Sequence, residues 1–397
     1  GGGEVYRNLV NQYTKKGHQV VVFYGYYPTK SIFETIETSA NMGGVKFYKI
    51  PELPCPQRYP FLRTALPPNP IAWLRLNRLI KKENPDVAHL HGYGYSLITI
   101  LSKIVKSLEI PYVYTLHGYT ESQKRQSKLV QKIWDTYEEK LLQPILKNAY
   151  KITSVSDFVK RDKRNPKPNN TQVIFNGLDE NLLNIPKQKN IDIRKEHNID
   201  PKTKIIFSVG RIIEEKGFQL VIKEILPKFT DKSLDKFLYN SIGEGIDVVY
   251  FIAGNDMGYK SKLEELIGRM NLQDKVEFLG FVEPSIRDDY IRQCDYFAIP
   301  SLGEPFGLVA LEGMAQEKPI IYTEKGALPE VLRDYPWKVK LKVFDFQEEL
   351  FSEEFSEESF NFKDLQREKF NWDKIADQYI KILKEAHEAK TRQKKIK

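Results

Sequence analysis

The sequence predicts an α/β protein made of two successive parallel-sheet domains, and three observations lead there. At 397 residues the chain is longer than one ordinary hydrophobic core accommodates, so two or three domains of about 100–200 residues are expected. Short runs rich in β-branched and aromatic residues alternate with amphipathic stretches, the pattern of a parallel sheet with helical crossovers. That alternation breaks off over 179–201, where Asn, Lys and Pro replace apolar periodicity, and then resumes, which marks a junction.

Taken in order, the first series predicts strands at Gln19–Tyr24, Val45–Ile50, Asp86–His91, Tyr112–His117, Lys151–Ser156 and Gln172–Asn176. The second predicts strands at Lys204–Val209, Asp247–Ala253, Val276–Phe281, Tyr296–Pro300 and Pro319–Thr323. Helices are expected at Phe218–Leu226, Ser261–Met270, Ser285–Gln293 and Gly307–Gln316. An acidic, phenylalanine-rich stretch follows residue 345, then a final amphipathic helix at Trp372–Ala389, and the lysine-rich tail 390–397 is expected to fray. The insertion 226–245 carries no readable pattern. In an open α/β sheet ligands bind beyond the carboxyl ends of the strands, which directs attention to His91, His117 and Asn176.

Composition narrows the function classes. A 41% hydrophobic, 29% charged chain folds rather than staying disordered. Two cysteines with no CxxC pair support neither a disulfide framework nor a cysteine zinc site. No run reaches the roughly 18 apolar residues of a spanning helix and no secretory pattern opens the chain, so a cytoplasmic location is expected. Net charge is +8, but residues 1–180 hold 26 Lys plus Arg against 15 Asp plus Glu. A basic N-terminal half suits an anionic membrane surface or a phosphorylated acceptor, with a solvated lysine-rich face as the plainer reading. No nucleic-acid partner is expected.

The most informative segment runs from Pro300 to Ala315, following a strand and opening a helix. Glu304 falls in the loop and Glu312 about a turn and a half into the helix, whose N-terminus adds unpaired N–H donors suited to a diphosphate or sugar hydroxyls. On spacing alone two surface glutamates would look the same. A second segment, Ser208 to Gly217, places Arg211 and Lys216 on one short loop, where a planar fork and a compact charge can both reach diphosphate oxygens. Cations fixed there would stabilise charge developing on a departing diphosphate.

These segments resemble the EX7E region and the GR…KG signature of retaining glycosyltransferases of family 4 (GT4), which have the GT-B fold. The likeness extends over Ser301, Pro305-Phe306-Gly307, Met314-Ala315, Pro319-Ile320-Ile321, Gly326 and Pro329-Glu330-Val331, and spans nearly the whole chain. It is weakest at 52–75 and 226–246. It implies two Rossmann-like domains facing across a cleft: an acceptor-binding domain at 1–182, a nucleotide-sugar domain at 183–365, and a C-terminal helix at 366–397 crossing back to the first. It implies that Glu304 contacts donor sugar hydroxyls, that Glu312 holds the ribose, and that Arg211 and Lys216 hold the diphosphate. Donor contacts also carry over to Gly210, to Phe306, Gly307, Leu308 and Val309, to Gly254 in a turn whose usual second glycine is Asp256 here, and to Phe281 and Val282 at the base edge.

In the first half, Gly2 and Gly3 resemble the family's first glycine loop, which lets backbone approach donor phosphates. The family has a strand before that loop, and an N-terminal truncation is the expected explanation for its absence. His89-Leu90-His91-Gly92 and Thr115-Leu116-His117-Gly118 also resemble family motifs, with His117 beside the reacting carbon in a geometric rather than acid–base role. His91, Tyr93 and Tyr119 are candidate acceptor contacts, and Pro54–Pro70 a candidate acceptor wall. His89 and His91 share a strand face but lack a third ligand nearby, and no DxD motif occurs, so metal-independent chemistry without a cofactor is expected.

The reading is a transferase moving sugar from a nucleotide-sugar donor to a glycan, lipid-linked or small-molecule acceptor, by front-face attack with an oxocarbenium-like sugar between Glu304 and His117. Covalent double displacement would need a carboxylate under the anomeric carbon, and none announces itself. The rivals are a catalytically silent scaffold of the same fold, a GT-B epimerase, and a phosphorylase, whose pyridoxal-binding lysine motif is missing. An NAD-dependent dehydrogenase lacks its GxGxxG after a first strand.

Overall fold

The computed structural model describes residues 2–26, 37–42, 44–51, 70–93, 96–119, 132, 135–178, 182–183, 190–227, 247–341 and 361–396. The chain divides into two compact units, Gly1–Gly177 with Phe370–Lys397, and Leu178–Lys369. The expected acceptor wall at 54–69, the insertion at 228–246 and the acidic stretch at 342–360 lie outside the described residues.

The first unit opens on helix α1 (Gly2–Lys15), whose Val5 and Leu9, one helical repeat apart, are buried. Strands β1 (Val21–Tyr26), β2 (Glu37–Met42) and β3 (Val45–Pro51) form one sheet in the order β1-β3-β2. β1 runs parallel to β3 and β2 antiparallel. After α2 (Pro70–Glu83), a second sheet carries β4 (Ala88–His91), β5 (Tyr112–Leu116), β6 (Lys151–Ser154) and β7 (Thr171–Val173), all parallel in that order. Between β4 and β5 lies α3 (Ser96–Ser107), which buries Leu97, Ile100, Leu101, Ile104 and Val105. Short helices α4 (Gln143–Asn148) and α5 (Asp157–Lys160) flank β6, and α5 is capped by Ser156 Oγ accepting from Val159 N.

The second unit begins with α6 (Ile193–Glu196) inside the segment expected to be loose, capped by Asp192. Its sheet contains β8 (Lys204–Val209), β9 (Val248–Ala253), β10 (Val276–Gly280), β11 (Tyr296–Ile299), β12 (Ile320–Thr323) and β13 (Lys338–Leu341), in the order β10-β9-β8-β11-β12-β13 with every pairing parallel. Strand order therefore reverses between β8 and β11, the doubly wound arrangement whose ligands sit at that reversal. The crossovers include α7 (Lys260–Arg269), α8 (Pro284–Gln293), α9 (Leu308–Ala315) and α10 (Leu328–Val331), with α11 (Phe362–Lys369) closing the unit. The central strands β8, β9, β11 and β12 are buried and read as nearly continuous apolar runs, as strands covered on both faces do. Ile206 and Ile252 pack with Val221, Ile222, Leu263 and Ile267, while Phe207 stacks on Tyr290 and Phe297 at 5.1 and 5.9 Å.

The last helix, α12 (Trp372–Ile396), belongs to the first unit. Lys16 Nζ reaches Asp373 at 2.7 Å and Asp377 at 2.8 Å, and Tyr379 is buried against His89, their rings 4.9 Å apart. Trp372 lies so close to Gly177 that a Cβ there would stand 2.6 Å from the indole, which explains the glycine of Asn176-Gly177 by packing.

Several expectations are corrected. The tail expected to fray from residue 390 continues α12 to Ile396, because Ala386 and the helix before it are already anchored. Gly2 and Gly3 are the first helical residues of α1 rather than a loop ahead of it, and a Cβ on Gly3 would meet nothing within 4 Å. The helix expected over Phe218–Leu226 is α-helical only to Leu220, then widens into a π-type turn at Val221–Ile225. β2, which lacks apolar alternation, and β13, a four-residue Lys-Val-Lys-Leu alternation, were not expected.

Candidate functional site

The second unit assembles its polar groups at the strand-order reversal. β8 delivers the loop Gly210–Gly217, and β11 delivers the loop Pro300–Gly307. The two are joined by backbone: Leu302 N donates to Glu215 O at 2.8 Å. Gly217, at φ +70°, lies so close that a Cβ would stand 1.8 Å from Pro300 O. Only glycine permits that approach.

Across this seam Lys216 Nζ donates to Glu304 Oε2 at 2.6 Å, with side-chain exposures of 24% and 15%. Such a short, shielded, charge-assisted contact is stronger than a surface pair. Arg211, from the same loop, is exposed and makes no ion pair among the described residues. One cation of this loop therefore holds the carboxylate, while the other, Arg211, is exposed to solvent.

Glu304 is held from behind. Gly326, at φ +80°, presses against it, since a Cβ there would stand 2.5 Å from Glu304 N and O, and Ala327 N donates to Glu304 O at 2.8 Å. Below it Ser301 is buried, its carbonyl accepting from Thr323 Oγ1. Phe306 fills the core, and Gly307, at φ +91°, begins α9. Leu308 and Val309 supply the first helical amides of α9, with Glu312 a turn further on, its Oε2 3.5 Å from Arg287 Nη1.

The neighbouring loops close the rim. Gly254, after β9, sits where a Cβ would be 1.8 Å from Gly210 O, so the turns after β8 and β9 touch through backbone. Gly254 N donates to Gly280 O at 2.6 Å, tying in β10, beyond which Phe281 is 64% exposed beside Val282. The departure at Asp256 acquires a reason: its Oδ1 accepts from Gly258 N, Tyr259 N and Lys260 N, capping α7. Those backbone donors hold its carboxyl below the usual range.

In the first unit a histidine cluster stands at the ends of β4 and β5. His91 Nδ1 and His117 Nε2 lie 3.0 Å apart, and His89 bonds Tyr13 OH through Nδ1 at 3.0 Å and Thr115 Oγ1 through Nε2 at 2.7 Å. Tyr6 covers His91 and His117 at ring distances of 5.2 and 5.4 Å. Burial pushes the imidazole of His89 down to about 3 and that of His117 to about 4, with that of His91 well below its ordinary value. All three are neutral near pH 7, so His117 can hold a hydroxyl by hydrogen bonding but carries no positive charge. Tyr93 donates to Glu138 and packs edge-on against Tyr119 at 4.7 Å, over which Arg164 stacks at 4.4 Å.

The second unit thus brings together Gly210, Lys216, Gly254, Glu304, Phe306 and Gly307, with Glu312 on α9 and Arg211, Phe281 and Val282 on its loops, while His91, His117, Tyr93 and Tyr119 gather in the first unit. Sequence reading missed Arg287 and the buttress role of Gly217. A glycine at the end of a lysine loop was the available signal for the latter; nothing marked Arg287. Among the described residues no three His, Cys, Asp or Glu side chains cluster as metal ligands, and no helix is long and apolar enough to cross a membrane.

The model of the family described as glycosyl transferases group 1 matches residues 189–351, and that of glycosyltransferase family 4 matches residues 1–182. An uncharacterized glycosyltransferase of Methanocaldococcus jannaschii is 25% identical, covering 96% of this chain and 93% of its own. Among solved structures, the sucrose-phosphate synthase of Thermosynechococcus elongatus superposes with a TM-score of 0.66 at 17% identity, over 98% of this chain and 94% of that one. Anabaena HepE, in complex with UDP and glucose, superposes with a TM-score of 0.59 at 15% identity, over 96% of each chain. These neighbours share the GT-B fold.

Proposed function

From the premise that the chain belongs to glycosyltransferase family 4 and is a GT-B transferase, we propose that it moves a sugar, with retention of configuration, from a nucleotide-sugar donor to a sugar or lipid-linked acceptor. The observation that carries the reading is the Lys216–Glu304 pair at the strand-order reversal, with Arg211 exposed on the same loop as Lys216. A diphosphate would take Lys216 and Arg211 as its cations, and Glu304, released from Lys216, would accept from sugar hydroxyls. Glu312 would hold the ribose, with the base against the backbone of Phe281 and Val282. The ligands named for Anabaena HepE, UDP and glucose, are of the class this arrangement suits.

The amides opening α9 and the two cations supply positive potential without a metal ion, so metal-independent transfer is the expected mode. His117, neutral at the end of β5, would orient a hydroxyl, and the departing diphosphate would accept the acceptor's proton. The first half, with its excess of basic residues, would lie against an anionic membrane surface on the cytoplasmic side.

The test is a calorimetric panel of UDP-, GDP- and ADP-sugars without metal, on wild type and Glu312→Ala. One nucleotide class binding wild type and weakened in the variant supports the reading; a folded protein that binds none overturns it. Cosedimentation with anionic and neutral vesicles at low salt tests the surface reading, which fails if neither is preferred.

A further inference from the structure

The carboxylate assigned to the ribose has a partner that the family motifs do not mention. Arg287 lies in the first turn of α8, directly after Phe281 and Val282, and its Nη1 stands 3.5 Å from Glu312 Oε2. The same guanidinium bonds Asp288 Oδ1 through Nε at 3.3 Å and Nη2 at 3.1 Å. Side-chain exposures of 23% for Arg287 and 18% for Glu312 keep the pair from full solvent screening.

The placement is not explained by the helix. A cation at a helix N-terminus opposes the macrodipole, which favours cations at the other end. What compensates it is the pair of carboxylates, and of these Glu312 comes from a different element, α9. Arg287 therefore links the loop expected to meet the base with the side chain expected to meet the ribose. Its planar fork fixes direction as well as charge, which a lysine ammonium does not.

We propose that Arg287 is a positioning residue for the donor: it orients the Glu312 carboxylate to accept from the ribose hydroxyls, and so sets the preference for ribonucleotides over 2′-deoxyribonucleotides. The inference rests on the nucleotide-sugar reading of the second unit and adds a determinant of nucleotide specificity to it. The Glu312 carboxylate is acceptor-only, with up to four lone-pair directions. Arg287 Nη1 stands on the Oε2 side, and a planar guanidinium that fixes the direction of the carboxylate fixes where two adjacent hydroxyls can donate to it. A site built around a hydroxyl rejects the analogue without it, because the acceptor loses that hydrogen bond and gains nothing in its place.

The experiment measures, by calorimetry without metal, the dissociation constants of the best-binding nucleoside diphosphate and its 2′-deoxy counterpart. It uses wild type, Glu312→Ala, Arg287→Met and Arg287→Lys, with inorganic pyrophosphate as a probe of the untouched Arg211 and Lys216. Wild type should prefer the ribonucleotide about tenfold, the ratio expected for one hydrogen bond to a charged group. Glu312→Ala should abolish the preference, Arg287→Met should reduce it to about twofold, and Arg287→Lys should restore part of it, all with pyrophosphate binding retained.

A merely structural Arg287 would weaken both nucleotides by one factor and leave the ratio unchanged, which overturns the proposal. If Arg287→Met loses pyrophosphate binding through misfolding, the ratio in Arg287→Lys decides: an unchanged ratio overturns and a reduced one supports. If wild type discriminates, Glu312→Ala does not, and Arg287→Met still does, this inference alone falls. Should wild type bind no nucleotide, the proposed function falls and takes the inference with it.

Discussion

Lowering the pH from 7.5 to 5.5 is expected to destabilise the first unit by about 2–3 kcal/mol, and the histidine cluster is the reason. In the folded chain burial holds His89 at about 3, His117 at about 4 and His91 well below its ordinary value. In the unfolded chain each returns to about 6.5. At pH 5.5 the unfolded state therefore carries almost one proton more per ring, and stability rises with pH across the window from about 4 to 6.5. The contribution is intact above 6.5 and lost progressively as pH falls toward the folded values. Each ring contributes about 1.4 kcal/mol at pH 5.5, about 4 kcal/mol for three, and the partial solvent contact of the rings reduces this to the figure given. The His91–His117 contact acts in the same direction, because a neutral pair needs one donor and one acceptor and a doubly protonated pair has none to accept.

A chain of two compact units is not expected to unfold in a single two-state transition, so bulk spectroscopy would mix them. Hydrogen exchange at the amides of β4, β5 and β6 in urea, corrected for intrinsic rates, reads the first unit alone. His89→Gln should remove about a third of the pH dependence. Ring resonances that titrate near pH 6.5 in the folded protein, or β4–β6 stabilities equal at the two pH values, would refute the reasoning.

Lys216→Ala should weaken nucleoside diphosphate binding by about ten- to hundredfold, as for loss of a charge-assisted contact, measured by calorimetry. Glu304→Gln should do the reverse for the bare diphosphate, tightening it about fivefold by freeing Lys216, while transfer activity is lost; a weakened diphosphate would contradict the pairing. Gly217→Ala drives a Cβ into Pro300 O and should cost about 3 kcal/mol in the urea transition of the second unit. Asp289 is fully buried, accepts from Asn190 N and Ile191 N and pairs with Arg292; Asp289→Ala should cost about 3 kcal/mol in the same assay.

What the sequence made legible was the part whose physics is local. β8, β9 and β11 are buried on both faces, so their apolar runs declare them; Lys204–Val209 was expected and found residue for residue. The loop glutamate, the helix glutamate and the Arg–Lys loop were legible because their chemistry requires fixed spacings along the chain. The antiparallel β2, by contrast, reads Glu37-Thr38-Ser39-Ala40-Asn41-Met42, and only its pairing with β3 makes it a strand. Tail residues 390–396 look like a frayed end by composition, yet the helix ahead of them is held through Trp372, Ile375, Tyr379 and Ala386, and propagation costs little once a helix is nucleated.

Arg287 was illegible for a different reason. Its significance lies in a contact across 25 positions, between the first turn of one helix and the second turn of the next, and no periodicity encodes that. Gly326 stood among the residues of the resemblance, but its role as the surface against which Glu304 is set shows only in the fold. Both cases follow from the doubly wound sheet: strands adjacent in space carry loops distant in sequence to one edge. Residues whose role is to touch a ligand keep a motif, because the ligand's shape fixes their spacing. Residues whose role is to hold those side chains in place answer to the fold, and only the fold reveals that role.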